Sequence, residues 1–241
     1  MMALLQRFLP EVSSLSTSGP WLLLYSLAVA FGVGWLKKHT GMRTAYTRKI
    51  FHFFIFSLAG VLHLWRGSQM VSLFGIITVP IVLVGVFLGE KSWFYRALAR
   101  PKDAPHQAFF VLVPLFTTAL GGIFSNLLFP SFAYIGYFAG GWGDAIGEPV
   151  GACFGKHPYK VSSPLGVSAT RTIEGSLAVC GVSVFITALA LVFSGYPLMQ
   201  IAIASCAVGV GVMLVEAVST HGFDNLTIQV AASGIAWMLL R

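Results

Sequence analysis

The chain has 241 residues, of which 56% are hydrophobic and only 10% are charged. Soluble domains carry roughly 25% charged residues, and a chain with far fewer cannot cover a globular core with a hydrated surface. The composition therefore predicts a membrane protein and excludes a soluble enzyme, a secreted disulfide scaffold and a disordered chain.

Eight apolar runs in the sequence approach the thickness of a bilayer, which an α-helix of about 17 to 25 residues can cross. They predict an all-α, polytopic membrane bundle of about eight transmembrane helices, with seven or nine as alternatives. Because no internal repeat is visible, we expect a single membrane domain over residues 1–241. In chain order the runs are Pro20–Leu36, Ile50–Trp65, Met70–Leu88, Gln107–Phe129, Ser131–Phe154, Gly175–Phe193, Pro197–Val218 and Leu226–Leu240.

The basic residues are distributed asymmetrically between these runs. Apart from Arg7, Arg66 and Arg241, every Lys and Arg lies in the loops after the first, third and fifth runs. By the positive-inside rule these loops face the cytosol, which puts both termini on the opposite side. The net charge of +7 thus reflects the membrane topology of the chain. Since no long basic stripe is present, we expect no nucleic acid as partner.

The eight carboxylates are also unevenly placed. Glu11, Glu90 and Asp103 lie in loops or at the ends of runs, where we expect water to solvate them. Carboxylates within membrane segments are rare and mark functional sites, so a group of them at one face predicts a site for a metal ion or a phosphorylated ligand. The five at or near the predicted cytosolic ends of runs are Asp144, Glu148, Glu174, Glu216 and Asp224.

Two stripes with four-residue spacing run through residues 140–157. Every fourth residue from Gly143 to Gly155 is glycine, which lets another helix or the phosphates of a ligand approach the backbone. Asp144, Glu148 and Lys156 fall on the adjacent stripe, so they share a face if the segment is helical. The alternative is a packing helix whose acids simply face water, but two acids followed by a Gly-Lys-His sequence favour a site.

Pro149 interrupts this segment. Proline removes a backbone N–H donor and its ring clashes with the preceding turn, so we expect one helix to be broken near Pro149. Broken helices are tolerated at membrane depth where they line a cavity in the protein. The break would therefore agree with a site in the region 143–176.

The loop over residues 168–176 combines small hydroxyl residues, Arg171 and Gly175 at the start of an apolar run. Free N–H groups, the helix dipole and a guanidinium favour an anion at such a place. An N-cap followed by a topogenic arginine would explain the same residues. At the second run, His52 lies one helical turn beyond Lys49 and could reach a phosphate, although juxtamembrane cations also serve as membrane anchors.

Together these motifs resemble the dolichol, polyprenol and phytol kinase family, whose relatives include the yeast-type CTP-dependent diacylglycerol kinase. The resemblance is most specific between residues 143 and 176, where Arg171 stands at a position that the family motif gives as lysine. The matching residues are Arg48-Lys49-x-x-His52, Gly143-Asp144-Ala145, Gly151, Gly155-Lys156, Arg171-Thr172-Ile173-Glu174-Gly175-Ser176, Glu216 and Asp224-Asn225-Leu226-Thr227.

The resemblance implies an integral membrane kinase that passes the γ-phosphate of a nucleotide, usually CTP, to a long-chain isoprenoid alcohol such as phytol, a polyprenol or dolichol. Phosphoryl transfer requires a metal-bound triphosphate, cations and a positioned hydroxyl. We expect Asp144 to bind Mg²⁺, with Glu148 or Asp224 as a second metal ligand. Glu216 or Glu174 would orient or deprotonate the alcohol, and the active site would face the cytosol.

For the nucleotide, we expect Lys156 and Arg171 to hold phosphates, while Gly155 and Gly175 permit close approach of the backbone. Two other functions use similar residues. A CTP-dependent phospholipid cytidylyltransferase would share the ligands but release pyrophosphate, and a carboxylate-coupled transporter would show repeats and acids near the bilayer midplane. The remaining positions expected to bind the nucleotide are Lys49, His52, Gly151, Thr172, Ser176 and Asn225.

Overall fold

The computed structural model of the chain describes residues 7–241, which are almost entirely helical. The longest helices each cover one of the apolar runs, because such runs satisfy their backbone polar groups internally. In chain order the elements are α1 (Val12–Thr17), α2 (Gly19–Thr40), α3 (Thr44–Arg66), α4 (Ser68–Leu88), α5 (Trp93–Leu98), α6 (Gln107–Leu128), α7 (Ala133–Phe154), β1 (Pro158–Val161), β2 (Ala169–Thr172), α8 (Ile173–Phe193), α9 (Leu198–Val218) and α10 (Asp224–Leu240).

The predicted all-α membrane bundle is confirmed. Five stretches of the described chain are long and apolar enough to cross a membrane, namely α2, residues 68–91 including α4, α6, α8 and α9. The other three long helices lack that length or that apolar composition, since α10 has only 17 residues, α3 carries Arg48 and Lys49 in its second turn, and α7 contains two acids. The chain is a multi-pass membrane protein, and its orientation stays a prediction.

Contacts within the chain divide it into two compact units, Met1–Leu112 and Val113–Arg241, and the boundary falls inside α6. Each unit has its own packed interior, so each is described by itself. The expectation of a single domain over the whole chain stays a prediction.

In the first unit, the short helix α5 packs against α2, α3 and α4. Gly34 of α2 allows this approach, because a Cβ atom there would lie 3.1 Å from the backbone nitrogen of Phe94. The hydroxyl of Thr47 in α3 donates a hydrogen bond to the carbonyl of Ala97, with 2.6 Å between the oxygens. Helix α5 is therefore held by main-chain contacts as well as by its buried side chains.

The expectation that water solvates Asp103 is wrong. Its side chain is only 1% exposed and accepts two hydrogen bonds from Arg100, at 2.8 Å from Nε and 3.2 Å from Nη2. A turn that includes Pro101–Asp103 brings the two residues together. Burial of this carboxylate is tolerated because a guanidinium neutralises it in a bidentate pair.

The second unit is built around α8, which packs against both α7 and α9, while α10 packs against α7 and α9. Between α7 and α8 the chain forms a hairpin in which β1 pairs antiparallel with β2 and Tyr159 lies opposite Arg171. The backbone N–H of His221 donates to the carbonyl of Ser162 at 2.8 Å, which ties the hairpin to the α9–α10 turn. From its sequence this hairpin is predicted only as a loop, because four-residue strands give too short a pattern.

The prediction of a helix break near Pro149 is wrong. Helix α7 continues through Pro149 to Phe154. A proline removes one hydrogen bond from a helix, and neighbouring helices can hold the segment in place despite that loss. Here α8 and α10 pack along α7 and supply this support.

Candidate functional site

Arg171, at the end of β2, organises the densest polar cluster of the second unit. Its Nε lies 2.7 Å from Oε1 of Glu216, and its Nη2 donates to Oδ2 of Asp224 at 2.9 Å. Its Nη1 donates to the backbone carbonyls of Glu216 and of Ser219. The side chain thus joins β2 to the end of α9 and the start of α10.

This cluster lies largely out of solvent. The side chains of Arg171, Glu216 and Asp224 are 12%, 13% and 15% exposed, respectively. A planar guanidinium offers five donors in a fixed fork, which suits contact with two carboxylates and two carbonyls better than an ammonium would. Arginine at the position where the family motif has lysine therefore has a structural use here.

A second chain of hydrogen bonds reaches Glu216 from the hairpin. The hydroxyl of Ser176 in α8 donates to Oε2 of Glu216 at 3.0 Å, and the hydroxyl of Tyr159 in β1 lies 2.7 Å from the same serine oxygen. Glu216 is thereby held through both of its carboxylate oxygens. The sequence analysis does not single out Tyr159, because one tyrosine in a four-residue strand carries no signal.

Asp144 of α7 is the third acid of the cluster. Both Asp144 and Asp224 interact electrostatically with Glu216, so three of the five acids predicted to converge do so. Glu148 lies one helical turn after Asp144 on the same helix and is partly exposed. Its proposed part in metal binding stays a prediction.

Glu174 pairs with a residue that the sequence analysis leaves without a role. Its Oε1 lies 2.7 Å from Nδ1 of His157, and its Oε2 accepts from the backbone N–H of His157 at 3.3 Å. The imidazole is 69% exposed and the carboxylate 24% exposed. The pair joins the segment after α7 to the first turn of α8 on a solvent-facing edge.

The predicted glycine stripe of α7 faces α8. A Cβ atom at Gly151 would lie 2.7 Å from the hydroxyl oxygen of Thr172, and one at Gly155 would lie 2.9 Å from it. From the opposite side, a Cβ atom at Gly175 would lie 2.9 Å from the carbonyl of Gly147. Of the two roles expected for these glycines, close approach of another helix is observed.

Thr172 and Asn225 both have structural partners. The Thr172 hydroxyl accepts from the backbone N–H of Gly175 at 3.1 Å and so caps α8, as the N-cap alternative predicts. The Asn225 amide is buried and donates to the hydroxyl of Thr118 in α6 at 3.0 Å. Their expected contacts with a nucleotide stay predictions.

Three cationic or basic residues complete the predicted set. Lys156 is exposed in the segment that follows α7, next to His157. Lys49 and His52 belong to α3 in the first unit, where Lys49 is buried and the His52 ring stacks on Phe56 with centroids 4.2 Å apart. The expectation that Lys49 and His52 bind phosphate stays a prediction.

The carboxylates of the cluster suit a magnesium ion that is shared with a substrate. Among residues 7–241 no group of three or more His, Cys, Asp or Glu side chains is arranged to hold a metal ion alone. Mg²⁺, however, is commonly bound by one or two carboxylates together with water and substrate phosphates. Asp144 and Asp224 would be the protein ligands in that mode, and their binding of Mg²⁺ stays a prediction.

Comparison with known proteins gives one informative similarity. The chain is 32% identical over 119 residues to the phytol kinase of Synechocystis sp. (strain ATCC 27184 / PCC 6803 / Kazusa). The aligned part is 49% of this chain and 48% of that protein, so the chain spans about half the length of the curated relative it matches. No family model matches the chain, and no solved structure matches it significantly.

Proposed function

We propose that the chain is a membrane kinase that transfers the γ-phosphoryl group of a nucleoside triphosphate, CTP in the first instance, to the hydroxyl of a long-chain isoprenoid alcohol. The observation that carries the proposal is the acidic cluster in which Glu216 and Asp224 bind Arg171 and Asp144 acts electrostatically on Glu216. The similarity to a phytol kinase supports it independently. Lipid-facing helices beside a charged cluster suit an acceptor whose tail stays in the bilayer.

In this proposal Asp144 and Asp224 would hold Mg²⁺ together with the phosphates, and the bound ion would supply charge neutralisation for the phosphoryl oxygens. Lys156 is the exposed cation that contacts the phosphates. Arg171 already binds two carboxylates and two carbonyls. Its role in this proposal is therefore to hold those carboxylates in position and to add positive charge to the site.

The acceptor alcohol needs an orienting group that takes up its proton. Glu216 suits this role because its carboxylate is largely buried and fixed through both oxygens by Arg171 and Ser176. A fixed acceptor within hydrogen-bond reach contributes about 100- to 10,000-fold to a rate by general base catalysis. Exclusion of water near this carboxylate also favours transfer to the alcohol over hydrolysis of the nucleotide.

The test is a transfer assay on the purified full chain in detergent or nanodiscs, with γ-labelled CTP or ATP and phytol, farnesol, a polyprenol or diacylglycerol as acceptors. We expect a labelled lipid monophosphate and a nucleoside diphosphate. In a parallel reaction with phosphatidate as acceptor, release of pyrophosphate with formation of a CDP-lipid would identify a cytidylyltransferase instead. No lipid phosphate from any acceptor with any of the nucleotides would overturn the proposal.

Asp144→Asn is the critical variant of this assay. It keeps the size of the side chain but removes the charge that a metal ion requires, so transfer should be lost while the protein still inserts and folds. Glu90→Gln, at an exposed position outside the cluster, is the matched control and should keep full activity. Wild-type activity in Asp144→Asn would remove Asp144 from the proposed site.

A further inference from the structure

Three oxygen-bearing side chains from three different elements form a continuous hydrogen-bonded chain in the second unit. Tyr159 of β1 contacts Ser176 of α8 at 2.7 Å, and Ser176 contacts Oε2 of Glu216 of α9 at 3.0 Å. Ser176 is buried, whereas Tyr159 is partly exposed. The chain therefore leads from a buried carboxylate toward solvent.

The direction of these hydrogen bonds follows from which of the three groups carries a proton to donate. An ionised carboxylate carries no proton, so Ser176 must donate its single hydroxyl proton to Glu216. Tyr159 must then donate its phenolic proton to the Ser176 oxygen. Burial raises the pKa of the Tyr159 phenol above its ordinary value, which keeps that donor protonated at neutral pH.

The charged groups around Glu216 cannot relay its proton, whereas the hydroxyls of Ser176 and Tyr159 can. Arg171 of β2 occupies Oε1, and the carboxylates of Asp144 on α7 and Asp224 on α10 act on Glu216 electrostatically. Neither a guanidinium nor an ionised carboxylate relays a proton as a hydroxyl does, because a relay group must accept one proton while it donates another. Ser176 and Tyr159 can do both.

We infer that Ser176 and Tyr159 form the path by which the proton of the acceptor alcohol leaves Glu216 after each transfer, a role that rests on the proposed function. In the transfer step, the alcohol oxygen bonds to the γ-phosphorus while the bond to the bridging oxygen breaks. The electron pair of that bond goes to the nucleoside diphosphate. The hydroxyl proton goes to Glu216.

Before release, the two hydroxyls rotate so that Ser176 donates to Tyr159 and Tyr159 donates to water. Glu216 then passes that proton to the Ser176 oxygen while Ser176 passes its own proton to Tyr159. Tyr159 in turn gives its phenolic proton to water. Each hydroxyl gains one proton and loses one, so the net change is the transfer of one proton from Glu216 to solvent. The relay leaves Ser176 donating to Glu216 and Tyr159 donating to Ser176, which is the starting arrangement.

Glu174 is less suited to this cycle than Glu216. Its carboxylate is engaged with His157, and that pair lies on an exposed edge where water has direct access. A carboxylate that water reaches directly can release its proton without a chain of hydroxyl groups. The inference therefore selects Glu216 from the two candidate acids and adds Tyr159 to the site.

The kinetic test compares Tyr159→Phe with the wild type in the transfer assay. We expect kcat to fall about 10- to 100-fold, below the full contribution of a general base, because Glu216 remains in place but loses its exit. KM for both substrates should stay within about twofold, since in the inferred role the two hydroxyls act on the proton of Glu216 and not on substrate binding. Ser176→Ala should reproduce this effect, and Ser176→Thr should restore the rate because it keeps the hydroxyl.

Tyr134→Phe is the matched control. Tyr134 makes the same kind of contact, with its hydroxyl 3.0 Å from Ser194 at the other end of α8, but that contact leads to no carboxylate among the described hydrogen bonds. Its removal should leave kcat unchanged. An unchanged kcat in Tyr159→Phe, or an equal fall in Tyr134→Phe, would overturn the inference.

A spectroscopic test separates this inference from the proposed function. In protein labelled with ¹³C at the tyrosine Cζ, the Tyr159 signal is assigned by its loss in Tyr159→Phe. We expect the signal to shift in both Ser176→Ala and Glu216→Gln, and no shift in either would overturn the chain. Shifts without any transfer activity in the wild type would refute the proposed function, and with it the role of this chain in phosphoryl transfer.

Discussion

The guanidinium of Arg171 binds the carboxylate of Glu216 in the second unit, with 2.7 Å between Nε and Oε1, and the same side chain reaches Asp224. These three residues lie on β2, α9 and α10, so one side chain connects three elements that are separate in sequence. Two acids can stay close together in a poorly hydrated place because this cation balances them. The cluster therefore holds β2, α9 and α10 together in the second unit.

Replacement of Arg171 by methionine should destabilise the second unit. Removal of one partner from a buried ion pair costs about 3 to 5 kcal/mol, and the low end applies here because the groups are slightly exposed. Arg171→Lys should recover part of the loss, since an ammonium restores the charge but cannot reach all four acceptors. The measurement is the thermal unfolding midpoint in detergent.

Arg96 is the matched control for this pair of variants. It is exposed on α5, so Arg96→Lys and Arg96→Met should each leave the midpoint close to that of the wild type. Equal stability of Arg171→Lys and the wild type would show that charge alone, without the fork geometry, holds the cluster.

A methyl group at Gly175 should disturb the contact between α7 and α8. The added Cβ atom would lie 2.9 Å from the backbone carbonyl of Gly147, which cannot move aside as a flexible side chain could. Overpacking of this kind costs about 1 to 3 kcal/mol, so Gly175→Ala should lower the unfolding midpoint. Gly181→Ala, on the same helix but with nothing within 4 Å of the new Cβ, should be neutral or slightly stabilising. A larger loss in Gly181→Ala than in Gly175→Ala would contradict the close approach.

Asp103→Asn should destabilise the first unit. Arg100 would lose its ion-pair partner while remaining buried, and a loss of this type costs about 3 to 5 kcal/mol. Glu11→Gln, which removes a charge of the same sign from an exposed position, should have no measurable effect on unfolding. If the two variants unfold alike, the buried pair contributes little to stability.

Thr172→Ala should weaken the start of α8. It removes the oxygen that accepts from the N–H of Gly175, and loss of an N-cap costs about 1 kcal/mol. Thr172→Ser keeps that oxygen and should stay within a few tenths of a kcal/mol of the wild type. Thermal unfolding of the three proteins under the same conditions measures the difference. Identical midpoints for the alanine and serine variants would indicate that the cap is not needed.

The helices could be predicted because each one repeats a single physical signal over about twenty residues. The eight apolar runs all coincide with long helices, and length and composition determine that outcome without reference to neighbours. Pro149 shows the limit of this approach. Whether a helix breaks at a proline depends on what packs beside it, and α8 and α10 are not visible from the sequence of α7.

The acids of the polar cluster could be predicted from the sequence, but the contacts that they make could not. Asp144, Glu216 and Asp224 stand out because ionisable groups are rare in apolar segments. Their distances to Arg171 and Ser176 depend on tertiary contacts between residues up to 53 positions apart, which no local pattern encodes. Asp103 was misjudged for a related reason, because its burial is set by the packing of a short turn rather than by hydrophobicity.

The contact between α7 and α8 also bears on how relatives of this chain can be recognised. Where backbone meets backbone, no single compensating substitution elsewhere can make room for a larger residue, so divergence at these positions is confined to the smallest side chains. Gly147 and Gly175, whose backbones meet, should therefore stay small in any relative that keeps this contact between helices.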